Sequence, residues 1–103
     1  MKIYHASGSR SVRIIWLFEE LGLPYEVVQF KLGSAEMRSS EYLKVHPMGR
    51  VPALEDGDQT IFESGAIVQY VLAKYGNGAL VPEVTSPDFA TYLQWLHYAE
   101  GML

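Results

Sequence analysis

The residues in this sequence that could do chemistry fall into three short stretches. The first is a small polar loop, Ala6-Ser7-Gly8-Ser9-Arg10-Ser11, whose three hydroxyls stand where a strand-like pattern gives way to a helical one. The second is Gly49-Arg50-Val51-Pro52-Ala53-Leu54, and the third is Phe62-Glu63-Ser64-Gly65-Ala66-Ile67. Pro52 has no N–H to donate to a sheet ladder, so it belongs at a strand's first residue or in a tight turn, where a cis peptide bond is a built feature. Glu63 and Ser64 stand where a strand stops and a helix starts, and there backbone N–H groups point outward without acceptors. These two spots are expected to face each other across one small-molecule site.

The chain contains no cysteine. Disulfides, thiolate metal sites and dithiol redox chemistry are therefore excluded from within it, and any sulfur chemistry must come from a ligand. His5, His46 and His97 are too dispersed, and too poorly matched by acidic neighbours, to suggest a metal. They read as structural or solvent-facing. A net charge of -4, with eight scattered Lys and Arg, argues against nucleic acid as a partner. Hydrophobic residues make up 49% and charged residues 19%, a globular composition. No apolar run approaches the roughly 18 residues a membrane span needs. A length of 103 residues fits one compact unit with a modest core. Met1-Lys2-Ile3-Tyr4-His5 leads straight into a strand-like pattern without a basic and apolar leader, so a cytoplasmic location is expected.

The elements that must position the three stretches follow from periodicity. Residues 2–5 read as a strand, and a helix starts near Ser9 or Ser11, which without further context are helix caps. It carries an unbroken apolar run from Ile14 to Phe18, which predicts burial on more than one face, and Gly22-Leu23-Pro24 stops it. Tyr25–Phe30 is a second strand, making a parallel βαβ unit. A short helix is expected from Ser34 or Ala35 to Leu43. Pro52–Glu55 and Gln59–Phe62 flank Asp56-Gly57-Asp58 and form an antiparallel hairpin. Ser64 caps a helix bearing Ile67, Val68, Val71, Leu72 and Tyr75, which Gly76-Asn77-Gly78 ends. Ser86-Pro87 opens a last helix. Phe89, Leu93, Leu96 and Ala99 or Glu100 trace one of its faces. Trp95, Tyr98 and Met102 trace a second apolar stripe that calls for a covering surface, either a further domain or another subunit.

The order β-α-β, α, β-β-α, with Val-Pro heading the third strand, resembles the thioredoxin-like N-terminal domain of glutathione S-transferases. The resemblance is carried by Ser7 to Arg13, by Leu17-Phe18-Glu19-Glu20-Leu21-Gly22-Leu23-Pro24-Tyr25-Glu26, by His46-Pro47-Met48-Gly49-Arg50-Val51-Pro52-Ala53-Leu54, by Glu63-Ser64-Gly65-Ala66-Ile67 and by Tyr92-Leu93-Gln94-Trp95-Leu96. It is closest to bacterial and fungal members with a Ser-Arg-Ser loop. The fold it implies is α/β with a four-stranded mixed sheet. Residues 1–82 would be the glutathione-binding domain, and 83–103 the linker and first helix of an incomplete all-helical domain.

The resemblance also implies roles. Val51, ahead of a cis Pro52, matches the position whose backbone pairs with the cysteinyl part of glutathione, which suits a peptide ligand. Glu63 and Ser64 match the pair that holds the γ-glutamyl end, the carboxylate meeting its ammonium and the helix start its α-carboxylate. Arg50 is the cation for the glycyl carboxylate, with Lys31 or His46 as alternatives. The catalytic hydroxyl, which stabilises the glutathione thiolate, is Ser9 first and Ser11 second, with Ser7 also in the loop. The family's activity implies glutathione as substrate without a metal, a hydrophobic electrophile, a homodimer and a role in detoxification. An inactive glutathione-binding or protein-interaction module is the alternative. A thiol-disulfide oxidoreductase of the same fold conflicts with the absence of cysteine.

Overall fold

The structure, a computed structural model, describes residues 1–101. Strand β1 (Lys2–Ala6), helix α1 (Ser11–Leu21) and strand β2 (Glu26–Phe30) form the parallel βαβ unit, with Ile3 beside Val27 and Ala6 beside Phe30. Strands β3 (Ala53–Asp56) and β4 (Gln59–Phe62) form the antiparallel hairpin, and β3 also pairs antiparallel with β1. The sheet order is β2-β1-β3-β4, mixed and four-stranded, in the expected thioredoxin-like arrangement. The hairpin turns through Gly57 at φ 59, the conformation that a two-residue turn led by glycine requires.

Alternation along the strands divides the core between the two faces of the sheet. Ile3 and its partner Leu54 point to one face, where they join Ile14, Leu17 and Phe18 of α1 and Ile67, Val71 and Leu72 of helix α3 (Ser64–Tyr75). Tyr4 and its partner Ala53 point to the other, where Met37 and Tyr42 cover them. Each fully buried aliphatic or aromatic side chain of the larger cluster contributes about 1.5–3 kcal/mol relative to exposure, so this layer dominates the fold's stability.

The covering segment on the second face is not one helix. It is a 3₁₀ turn (Ala35–Arg38) and a single α-turn, α2 (Ser40–Leu43), separated by extended Ser39, whose hydroxyl accepts from the Tyr42 amide at 3.2 Å. Helix α1 also departs from expectation. Ile14, Leu17 and Phe18 are buried, but Val12 and Trp16 are half exposed, so only one face of the apolar run is covered. Left-handed Gly22 ends the helix, with Gly22 and Leu23 amides donating to Glu19 and Phe18 carbonyls. The last helix, α4 (Phe89–Gly101), starts three residues past Ser86 and lies against α3. Trp95 and Tyr98 of its second stripe are exposed, while Met102 and the side chains of Ala99 and Glu100 lie outside the described residues.

Candidate functional site

The sheet register gathers the three polar stretches at one edge. Ala53 pairs with Phe62, so one step outward Pro52 stands across from Glu63. Tyr4 pairs with Ala53 in the antiparallel β1–β3 ladder, so the same continuation sets Ala6, where the serine loop begins, level with Val51. Ala6 and Phe30 end the two parallel strands together, which brings Lys31 to this edge as well. In open α/β sheets the crevice beyond the carboxyl ends of parallel strands is where ligands bind.

The Val51–Pro52 peptide bond is cis, the geometry the sequence position allowed. The loop leading to it is fixed from behind. Gly49 has φ 64, and a Cβ there would stand 2.5 Å from the Met37 carbonyl oxygen, so only glycine fits. The Tyr42 hydroxyl donates to the Arg50 carbonyl. Pro52 itself is buried, Val51 half-buried and Arg50 exposed.

Glu63 occupies a backbone conformation that side-chain-bearing residues rarely adopt, φ 76 and ψ 115, at the N-cap position of α3. Such a conformation costs on the order of 1–3 kcal/mol and persists where the surroundings impose it, most often at ligand sites. Ser64, expected as the cap, is instead the first helical residue and is buried. The kink leaves the Glu63 side chain exposed at the edge, beside the start of α3.

The serine loop contains an internal hydrogen-bond chain. Ser11 is fully buried, and its hydroxyl meets His5 Nδ1 at 2.7 Å and accepts from the Ala6 amide at 3.1 Å. The Ser9 hydroxyl donates to the Ala6 carbonyl at 2.6 Å and also contacts the Ser11 hydroxyl. Ser9 is half-buried and Ser7 exposed, with Ser7 Oγ accepting from Gln29 Nε2 at 3.3 Å. Of the two serines favoured as catalytic, Ser9 is thus the one a ligand can approach. The cap residue of α1 is Arg10, which makes no side-chain capping bond, while the Ser9 hydroxyl accepts from the amide of Ser11, the first helical residue, at 3.3 Å.

Tyr42 is the site neighbour that pattern reading missed, and His46, expected there as an alternative cation, stands four residues on. Their spacing of four, which stacks side chains along a helix turn, was the available signal. His46 is 4% exposed, its ring 4.5 Å from that of Phe62, and its Nδ1 accepts from the Met48 amide at 3.2 Å. Burial lowers its pKa below the usual histidine value; the Glu63 carboxylate pulls the other way and the Arg50 guanidinium adds to the lowering. His46 is therefore neutral near pH 7. That leaves Arg50 and Lys31, both exposed, as the available cations. Among the described residues no group of three or more His, Asp or Glu is placed to hold a metal.

Two cavities of about 510 Å³ lie on the molecule, the first at the opposite strand ends and the second beside Tyr42. One is lined by Met1, Lys2, Tyr25 and Glu55, the other by Val28, Phe30, Glu36, Glu41 and Tyr42. At the opposite end of the β3–β4 hairpin, one Asp56 carboxylate oxygen accepts from Tyr70 at 2.6 Å, Tyr75 at 2.7 Å and Lys74 at 3.3 Å. The two phenols, first of all, hold the Asp56 pKa below the usual carboxylate value.

Comparison with known proteins agrees with the resemblance. Residues 1–73 match the family described as "Glutathione S-transferase, N-terminal domain". Glutathione S-transferase 3 of Schizosaccharomyces pombe is 33% identical over 101 residues, covering 98% of this chain and 41% of that protein. A glutathione transferase of Phanerochaete chrysosporium, solved with oxidized glutathione, superposes with a TM-score of 0.85 at 33% identity, over 97% of this chain and 47% of that one. A Sulfitobacter glutathione transferase homologue with bound glutathione gives 0.80 at 36% identity, over 97% and 48%. The chain thus spans less than half the length of these relatives.

Proposed function

The chain belongs to the glutathione S-transferase family, and from that premise we propose that it binds glutathione at the edge formed by Val51, Glu63 and Ser9. The observation that carries this reading is the left-handed Glu63, held across from cis Pro52 by the hairpin register. That juxtaposition offers the Val51 backbone to a peptide ligand's middle, and an exposed carboxylate with a helix start to its amino-acid end. Glu63 takes the γ-glutamyl ammonium, Ser64 and the first amides of α3 its carboxylate, and Arg50 the glycyl carboxylate. An ordinary thiol has a pKa of about 8.5, so a hydroxyl donor from Ser9 favours the thiolate near neutral pH.

With a helical domain following residue 82, the reading extends to attack of that thiolate on a hydrophobic electrophile. A homodimer, a detoxifying role and a cytoplasmic location go with it, supported by family membership alone. A specific observation favours a second reading. The Ser9 hydroxyl proton is already engaged by the Ala6 carbonyl, so this chain can be a glutathione-binding module without turnover.

Calorimetric titration of glutathione, beside a conjugation assay with an aromatic electrophile, separates the readings. Binding with turnover supports the transferase, binding without turnover supports the module, and absence of binding removes both.

A further inference from the structure

We propose that Tyr42 is a positioning residue: its hydroxyl, by holding the Arg50 carbonyl, aims the Val51 N–H at the ligand. This rests on the glutathione reading. The Arg50 carbonyl and the Val51 N–H belong to one planar peptide unit. Among the described residues the only cis bond is the next one, Val51–Pro52, so this unit is trans and its oxygen and N–H point in opposite directions. Tyr42 grips the oxygen from the buried side of the loop, being only 4% exposed itself. The N–H on the other end of the unit is therefore directed away from the core, where an extended peptide would lie.

Tyr42 is suited to this because it is packed on several sides. Its ring packs 4.7 Å from that of Phe30 and 5.4 Å from that of Tyr4, with His46 at 6.5 Å, and Ser39 caps its amide. Burial pushes its pKa up, so the phenol remains a donor across the neutral range. Accepting a hydrogen bond at the oxygen also polarises the peptide unit and strengthens its N–H as a donor. A phenylalanine would fill the same space in the aromatic cluster. The hydroxyl is needed for the carbonyl alone.

The test is Tyr42→Phe in this chain, read by glutathione titration, by the ¹⁵N order parameter at Val51 and by thermal melting. We expect glutathione Kd to rise about fivefold to tenfold, as for loss of one hydrogen bond with its acceptor left unpaired. The Val51 order parameter should fall from the rigid value of about 0.85 to below about 0.7, while those of Ile3 and Leu54 hold. A γ-glutamyl amide lacking the cysteinyl unit, followed by NMR shifts, should bind both proteins alike. Unchanged affinity with an unchanged Val51 order parameter overturns the proposal. So does a loss of order spread across the sheet, which marks a merely structural role. If neither protein binds glutathione, the functional reading falls. The order parameter then decides the positioning of this peptide unit by itself.

Discussion

At the Asp56 end of the β3–β4 hairpin, three side-chain donors converge on one carboxylate oxygen and tie the turn to the C-terminal part of α3. At the other end of the same two short strands, Glu63 sits in a left-handed backbone conformation, Pro52 follows a cis bond, and Arg50 and Glu63 face solvent. The first end satisfies its polar groups with the protein's own side chains. The second holds the unfavourable Glu63 backbone and leaves charged groups to be met from outside. Four-residue strands join the two ends, and the clasp anchors the hairpin to α3 without touching the ligand end. Substitutions at the two ends should therefore separate stability from ligand affinity.

The largest effect is expected where the ligand end leans on the core. Gly49→Ala drives a Cβ to 2.5 Å from the Met37 carbonyl at φ 64. Urea denaturation should show a loss of about 3 kcal/mol or more, accompanied by loss of glutathione binding. Retention of both would mean that the loop is not seated as described.

Next is Asp56→Ala, which should cost about 2 kcal/mol by removing a charged acceptor shared by two phenols, with glutathione affinity within twofold of wild type. The sign of its pH dependence follows from the lowered pKa. An unfolded aspartate takes up a proton at about pH 3.9, before the folded one does. The clasp's contribution is thus complete above that pH and is lost as pH falls through the lower folded value. Acid titration of stability should lose this component in the variant; an unchanged acid profile would show that Asp56 is not the group responsible.

Glu63→Gly should act in the reverse sense. Relief of the left-handed backbone is worth up to about 1 kcal/mol in stability, while glutathione Kd rises tenfold or more through loss of the carboxylate. A stability loss instead would make Glu63 part of the scaffold rather than of the ligand end.

The smallest effect concerns His46. Its folded pKa lies below the unfolded value of about 6.5. Stability linked to it is therefore full above pH 6.5 and declines as pH falls towards the folded value, because the unfolded chain is protonated first. His46→Phe should flatten thermal stability as pH falls below 6.5. An identical slope in both proteins would place His46 in water rather than against Phe62.

The two ends also differ in how far sequence alone revealed them. Val51-Pro52 was conspicuous because proline's missing N–H restricts it locally, and Asp-Gly marked the hairpin by turn chemistry. The register then followed, and with it the meeting of Pro52 and Glu63. The left-handed φ of Glu63 left no local trace, since nothing about a glutamate before Ser-Gly requires it. The Asp56 clasp joins residues 14 to 19 positions apart through side chains, and no periodicity encodes such a convergence. Ser9 and Ser11 share one polar loop, and ranking Ser9 ahead of Ser11 there says nothing of which hydroxyl is accessible. Only the three-dimensional position of His5 shows that Ser11 points inward. Apolar runs misled for the same reason, Trp16 looking buried because its neighbours are.

That exposure has a practical corollary. Both tryptophans of the chain are more than half exposed, Trp16 at 57% and Trp95 at 56%. Their fluorescence should already resemble that of indole in water, so unfolding will shift it little, and a melt followed that way would understate the transition. A blue shift on mixing with a binding partner would report something else entirely: a second surface closing over α1 or α4. The packed rings of Tyr4, Phe30 and Tyr42 make near-ultraviolet circular dichroism the better witness of the fold itself.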